Sequence, residues 1–296
     1  MQEINRNRNK GLMMFFIIPI VWGLSFIVTH NAVQIVNPGE FAFYRMLTAS
    51  ICLFPFAMKY LKEINIKVIL WSFAIAACGT GNILCQAFAL SQANSSKVAF
   101  YVTLNILFVP FIAVLFRVAK LELLEIVAVF IGVTSIFINF GGDLSTFSSG
   151  DAFGLMAALS IALNIVLTQK MLQHLHVSKI LLTFLSIFFG AILLLYFPLH
   201  HSTISIIFDN HSVLFAVIYQ GAIATALAYF IQIKYQKEIG ATSAALIMNL
   251  DLAFAAIFGY FNHETMTVLQ VVACVVAFTS SVFKDSVILI RKKYKI

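Results

Sequence analysis

All but two of the 19 Lys and Arg residues in this chain fall on alternate connections between long apolar segments. A chain threaded repeatedly through a bilayer acquires that periodicity, because positive charge resists translocation and collects on one side. The apolar segments, with soft edges, are 11–29, 38–58, 68–88, 97–116, 123–140, 154–172, 180–198, 213–233, 242–261 and 266–283. About 20 residues rising ~1.5 Å each match the ~30 Å hydrocarbon core, so each segment is long enough to cross.

The basic connections are the N-terminus (Arg6, Arg8, Lys10), the second-to-third loop (Lys59, Lys62, Lys67), the fourth-to-fifth (Arg117, Lys120), the sixth-to-seventh (Lys170, Lys179), the eighth-to-ninth (Lys234, Lys237) and the C-terminal tail from Lys284 to Lys295. The two exceptions are Lys97 and Arg45. This distribution predicts both termini in the cytoplasm, in an inner or plasma membrane. The first segment follows a basic start but has no small-x-small cleavage site, so it is expected to be retained.

At 61% hydrophobic and 10% charged residues, with a mean hydropathy of +0.97, the chain cannot hide its apolar side chains from water in a soluble fold. The net charge of +7 therefore calls for no nucleic-acid partner. It follows from the loop bias, with the Lys-rich tail set against anionic lipid headgroups. Cys52, Cys78, Cys85 and Cys274 lie within the apolar segments without paired spacing, and read as isolated thiols.

Laid on itself, the chain brings Gly11-Leu12-Met13 onto Gly154-Leu155-Met156 and Pro55 onto Pro198, and with a small gap Glu122 falls opposite Glu264. The charges give this weak repeat a direction. Lys97 alone stands in the third-to-fourth loop, where the equivalent eighth-to-ninth loop holds Lys234 and Lys237. Arg117 and Lys120 likewise face an equivalent Asn262-His263-Glu264 turn with no Lys or Arg. Five spans per copy force the second into the opposite orientation. The expected fold is an all-α polytopic membrane protein of ten transmembrane helices, built as two inverted five-helix repeats over residues 1–148 and 149–296. A Gly/Ser-rich external link at 141–150 joins them. Similar halves of opposite orientation can exchange conformations around a midplane site, which is the mechanical basis of alternating access.

Several segments resemble the EamA-like transporters of the drug/metabolite transporter superfamily, and the resemblance covers essentially the whole chain. Trp22-Gly23-Leu24-Ser25-Phe26 is similar to the family's first helix, and Pro38 through Pro55, with Phe43-Tyr44-Arg45, to its second. Ala87-Phe88-Ala89-Leu90, Ala99 through Pro110 and Glu122 resemble the third and fourth helices and the acidic position that follows. Thr225-Ala226-Leu227-Ala228-Tyr229, the 239–245 stretch and Glu264 repeat the theme. Asn249-Leu250-Asp251-Leu252-Ala253 departs from the family by lacking a Pro, and Cys274-Val275-Val276 by lacking a Gly. The resemblance implies ten helices and export or uptake of a small metabolite.

Arg45 is the only Arg well inside a segment. Inserting it costs ~2.5 to 3.5 kcal/mol, so it needs a partner or water. It either binds a substrate carboxylate through its guanidinium fork, or snorkels outward towards Glu40 in a structural or gating role. Asp251 is the only carboxylate near the middle of a segment. It exchanges protons, holds a substrate amine, or pairs with Arg45 for packing. Trp22, Tyr44, Tyr101 and Tyr229 are candidates for an aromatic cavity wall, with Tyr219 nearby in sequence, whereas Trp71 reads as an interface anchor. Asn82, Gln86, Asn105, Asn164 and Gln220 are amides that bind substrate or hold helices together. Gly79, Gly81, Gly132, Gly190 and Gly221 are hinges or close-packing points.

His200, His201, Asp209 and His211 fit no ligand spacing, so no metal is expected, and no cofactor. An intramembrane enzyme would need a nucleophile with a base, or metal ligands, and no such motif is present; there is also no phosphate-binding glycine loop for ATP. A non-transporting receptor or channel remains the competing class. Several basic cavity residues would be needed for a dianionic phosphate, and Arg45 stands alone. The expected activity is secondary transport of an amino acid, a related zwitterion or an organic cation, with proton coupling through Asp251 and Arg45. The expected partners are a small-molecule substrate and membrane lipids, with the chain a monomer or homodimer.

Overall fold

The computed structural model describes residues 13–139, 147–200 and 204–294, and side chains are described except at 241–243, 246, 281–282, 284–286 and 288–294. The 141–146 part of the link, His201 and the basic N-terminal residues lie outside these ranges. Among the described residues the regular structure is all helical. The helices are α1 (Ile17–Val33), α2 (Pro38–Ala57), α3 (Ile66–Leu90), α4 (Ser95–Thr103), α5 (Asn105–Leu115), α6 (Leu123–Asn139), α7 (Ser149–His174), α8 (Lys179–Leu193), the short α9 (Tyr196–His200) and α10 (Ile204–Asp209), then α11 (His211–Ile218), α12 (Ala228–Ile239), α13 (Ala241–Met248), α14 (Asp251–Phe261) and α15 (Val268–Tyr294).

Seven helical stretches are long and apolar enough to cross a membrane: Met13–Val33, Pro38–Glu63, Ile66–Leu90, Ser95–Leu115, Ser149–His174, Lys179–His200 and His211–Ile239. The other three expected spans appear as shorter apolar helices, Leu123–Asn139, Asp251–Phe261 and Val268–Ser280. For the ninth segment the reason is a break: its apolar run is divided between α13 and α14 at Asn249-Leu250.

Polar side chains start the helices. Asn37 Oδ1 accepts from the Gly39 and Glu40 N–H groups, and Pro38 at the first position gives up no needed donor. Asn65 caps α3, Asn210 caps α11, and Ser148 with Asp151 forms a capping box on α7. Gly240, at φ +89°, makes the turn from α12 to α13 that a side chain would strain. Large apolar side chains such as Ile51, Leu70, Phe130 and Val268 are turned outward. Gln220, Thr225, Gln232, Gln236 and Asn249 are buried inside. That inside-out distribution suits lipid, where the interior must satisfy the polar groups.

Two features shape the middle of the bundle. Tyr219–Leu227, joining α11 to α12, is wound as a π-helix. Its widened turns lie against α2, where a Cβ on Gly221 would come within 2.5 Å of Thr48 Cβ and 3.0 Å of the Arg45 carbonyl oxygen. The second feature is a matched pair of breaks. Leu104, between α4 and α5, and Leu250, between α13 and α14, have nearly the same backbone (φ −65°, ψ −2° and φ −64°, ψ −15°). At both, tightened bonds to the third residue back replace part of the helical ladder: Leu104 N–H to the Tyr101 carbonyl at 3.0 Å, and Leu250 N–H to the Ile247 carbonyl at 3.2 Å. Thr103-Leu104-Asn105 and Asn249-Leu250-Asp251 thus occupy the same place in two antiparallel helices, since α4 packs on α14 and α5 on α13. The breaks touch: Asn105 Nδ2 donates to Asn249 Oδ1 at 2.6 Å and to the Val102 carbonyl at 2.8 Å, while Asn249 Nδ2 donates to the Thr103 carbonyl at 3.1 Å. Amides that compete with the backbone for its own carbonyls give these helices a reason to stop here.

Candidate functional site

Beside this crossing lies a small cavity of about 20 Å³. Its wall combines Trp22, Ser25 and Phe26 of α1, Arg45 of α2, Asn82 and Gln86 of α3, Val102 of α4, Ile161 of α7, Tyr229 of α12 and Asp251 of α14. Six of the residues singled out from the sequence therefore meet: Arg45, Asp251, Trp22, Asn82, Gln86 and Tyr229.

Arg45 does not snorkel. It is 4% exposed, and its Nε donates to Thr225 Oγ1 of the π-helical segment at 2.7 Å. Asp251 is equally buried, takes the first position of α14, and lies against the Leu252 N–H. Its Oδ1 has no hydrogen-bond partner. Among the described residues the ion pair found is Lys97 with Asp151 at 2.8 Å, so the cation and the acid of the cavity are not joined to each other. A guanidinium and a carboxyl group, both removed from water, face one small space.

The aromatic wall is a corner: Trp22 and Tyr229 meet edge-on, with ring centroids 6.0 Å apart at 60°. Trp22 is fixed by its Nε1, which donates to the Ala224 carbonyl in the π-helical segment at 2.9 Å. Tyr219 and Gln220 tie the same segment to α1. The Tyr219 hydroxyl donates to the Val21 carbonyl at 2.9 Å, and Gln220 bonds Ser25 Oγ, the Ser25 carbonyl and Thr29 Oγ1 at 2.7 to 2.9 Å. The hydroxyl of Tyr229 lies beside Asn82, whose Oδ1 is buried and unpartnered.

The remaining candidates lie elsewhere. Tyr101 is fully buried beside Asp151 and Asn139, against Gly154, and does not line the cavity. Its place is fixed by the Lys97 to Asp151 pair at the end of α4. Tyr44 packs edge-on to Phe43 at 5.2 Å rather than in the cavity wall. Asn105 is spent on the helix crossing, and Asn164 on the Ile75 carbonyl at 3.2 Å, lining a neighbouring cavity. Among the glycines, Gly190 approaches Thr80 Oγ1 and Met46, and Gly132 approaches Leu107 and Ser280, which is close packing.

Three contributors were not singled out as site residues from the sequence. Thr225 holds Arg45, and its signal was a place in the repeated Thr-Ala-Leu-Ala-Tyr segment. Asn249 makes the crossing, inside the run noted for lacking a Pro. Glu264 accepts at both carboxylate oxygens from the Ser95 and Ser96 N–H groups (3.1 and 3.2 Å) and from Ser96 Oγ (3.1 Å), so it caps α4 from the far end of the chain.

The chain matches the model of the "EamA-like transporter family" twice, over residues 9–141 and 148–283. No curated protein matches it. A solved structure titled "Crystal structure of protein" is similar over 93% of this chain and 96% of its own, with a TM-score of 0.66 and 12% identity, which speaks for the fold alone.

Proposed function

The chain belongs to the EamA-like transporter family, hence to the multi-pass membrane transporters of the drug/metabolite type, and from that premise we propose that it is a secondary carrier of an amino acid or related zwitterion. The observation that supports this reading is a buried guanidinium and a buried carboxyl group that line one small cavity without meeting each other. Arg45 and Asp251 are each 4% exposed, and an unpaired charge at membrane depth is costly unless a ligand or a proton answers it. A zwitterion answers both. Its carboxylate takes the guanidinium fork of Arg45, which Thr225 holds in place, and its ammonium takes the free oxygen of Asp251. Trp22 and Tyr229 supply an aromatic face for the side chain or the cation, and Asn82 and Gln86 supply hydrogen bonds.

In this reading the two family matches are inverted five-helix repeats of a ten-span bundle, residues 1–148 and 149–296, with both termini cytoplasmic in the inner or plasma membrane. Alternating access occurs around the cavity, and Asp251 couples protons when no ammonium is bound. The family's members are transporters, and no catalytic role is assigned to any residue.

The test is uptake into proteoliposomes loaded with amino acids, nucleosides or organic cations, with and without a pH gradient. Amino-acid counterflow is expected in wild type, and its loss in both Arg45→Lys and Asp251→Asn. Flux of organic cations that survives Arg45→Lys would overturn the zwitterion assignment; gradient-independent flux unchanged in Asp251→Asn would remove the carboxylate from the mechanism.

A further inference from the structure

A second small cavity, also of about 20 Å³, lies between α2, α3, α7, α8 and α12. It sits in the half of the bundle nearer the Lys59, Lys67, Lys179 and Lys237 ends of those helices, hereafter the basic face. Tyr229 lines both cavities. The wall between them is thin. A Cβ on Gly79 would stand 3.0 Å from Asn164 Nδ2 and 3.6 Å from the Tyr229 hydroxyl, so the missing side chain is what lets Asn164 and Tyr229 close against α3.

From Asn164 a ladder of neutral polar groups runs to the basic end. Thr168 is one turn on along α7, with Gln169 beside it. On α12, Gln232 Nε2 donates to Asn164 Oδ1 at 3.4 Å and to Gln236 Oε1 at 3.1 Å, and Gln236 Nε2 donates to the Ile165 carbonyl at 2.7 Å. Thr168 Oγ1, Gln169 Oε1, Gln232 Oε1 and, on the adjoining α3, Ser72 Oγ are buried without hydrogen-bond partners. Buried polar groups without partners carry a desolvation cost that packing does not return. Thr168 lines the cavity and the other three stand on the helices around it, where an opening would answer them.

We propose that the second cavity is the passage between the central site and the basic face, with Tyr229 and Asn164 its inner gate and the Gln232–Gln236–Ile165 bonds its outer latch. In the open state, water and the passing solute meet the Thr168, Gln169, Gln232 and Ser72 oxygens. The residues lining this cavity include no Asp, Glu, Lys or Arg, so the passage has no counter-charge to offer and admits solutes of zero net charge. This rests on the carrier reading above and narrows it: a net cation or anion is excluded by the passage even where the central site would hold it.

The test uses full-length protein in which the four cysteines are replaced, with single reporters Thr168→Cys and Ile161→Cys in right-side-out and inverted vesicles. The probe is a sugar-linked methanethiosulfonate of zero net charge, too polar to cross the bilayer but admissible to a passage without counter-charges. Thr168→Cys is expected to label from the basic face, about tenfold faster when Gln236→Leu removes the latch. Ile161→Cys, in the central site, is expected to label slowly from that face with Tyr229 in place and more than about tenfold faster once Tyr229→Ala opens the gate. Labelling of Thr168→Cys from the opposite face alone, or from neither face even with Gln236→Leu, overturns the passage. Ser186→Cys, on another helix of the same cavity, repeats the test should a Thr168 variant fail to fold. Because labelling needs no substrate, an absence of zwitterion flux with the expected labelling defeats the substrate assignment and leaves the passage standing. Normal flux without labelling does the reverse.

Discussion

The two ends of the helix bundle are closed by different chemistry. On the face opposite the basic one, the closure is charged. Glu264 binds the first N–H groups of α4, Asp151 pairs with Lys97 and accepts from Ser148 N–H and Oγ at 2.8 Å, and His30 Nδ1 meets the Leu90 carbonyl at 2.8 Å. Ser95 Oγ is buried there without a hydrogen-bond partner, and Asp151 Oδ1 has Lys97 Nζ alone at 2.8 Å. Towards the basic face one carboxylate contact is made at the loops, Glu63 Oε2 accepting from the Ser178 N–H at 2.6 Å, while the closure inside the bundle is made by neutral amides, several of whose oxygens have no partner. Charge-assisted bonds are roughly twice as strong as neutral ones, so breaking the first closure costs more. The difference teaches which way this conformation leans: one end is locked, and the other is held shut by contacts that opening would improve.

The largest break in that contrast comes from Lys97→Met. Asp151 is fully buried, and without Lys97 it keeps the Ser148 bonds and the Tyr101 hydroxyl. A fully buried pair that loses one member costs about 3 to 5 kcal/mol; Lys97 is a quarter exposed, so about 2 to 3 kcal/mol is expected here. Thermal unfolding in detergent reads the loss, and Asp151→Asn in the same chain is expected to restore most of it. A Lys97→Met protein as stable as wild type would show that the locked face is not locked by charge.

Glu264→Gln comes next. It keeps the shape and removes the negative charge from the start of α4, a change of about 1 to 2 kcal/mol at a helix N-terminus. Since every 1.4 kcal/mol is about tenfold in an equilibrium, labelling of a Gln86→Cys reporter from the opposite face is expected to rise about tenfold. If it does not move, the lean belongs to packing rather than to this cap.

Much of this was legible in the chain itself. The loop charges and apolar lengths suffice to find a multi-pass membrane protein, and lone ionisable groups within apolar runs suffice to pick out Arg45 and Asp251, which meet in one cavity. Breaks inside apolar runs were not legible. Asn249-Leu250 interrupts a stretch that reads as continuous, because the interruption depends on Asn105 arriving from another helix. Tyr101 was misplaced for a similar reason: an aromatic ring within an apolar run looks the same whether it faces a cavity or a buried carboxylate, and the position of Asp151 is a fact of tertiary packing. The π-helical winding of Tyr219–Leu227 leaves no mark in composition either.

On the weakly held side, Gln232→Leu removes the bonds to Asn164 and Gln236 together with an unpartnered oxygen. Losing net hydrogen bonds of about 0.5 to 1.5 kcal/mol each while shedding an unanswered acceptor leaves stability within about 1 kcal/mol of wild type. Set beside Lys97→Met, a near-silent unfolding curve sharpens the contrast between the two closures; a loss of more than about 3 kcal/mol would show that the neutral ladder is a lock as well.

Tyr229→Phe is the finest cut. The ring keeps its edge-on contact with Trp22, and only the hydroxyl beside Asn82 and above Gly79 is lost. Removing one neutral hydrogen-bonding group costs about 0.5 to 1.5 kcal/mol, which corresponds to about a two- to tenfold change in how often the gate stands open. The expected result is faster labelling of Ile161→Cys from the basic face by that factor, with labelling of Gln86→Cys from the opposite face unchanged. The asymmetry is the informative part. A structural tyrosine loosened by the substitution would raise both rates together, whereas a gate between two cavities raises only the rate on its own side. Equal changes at both faces would therefore remove Tyr229 from the gate and return it to the wall of the central site.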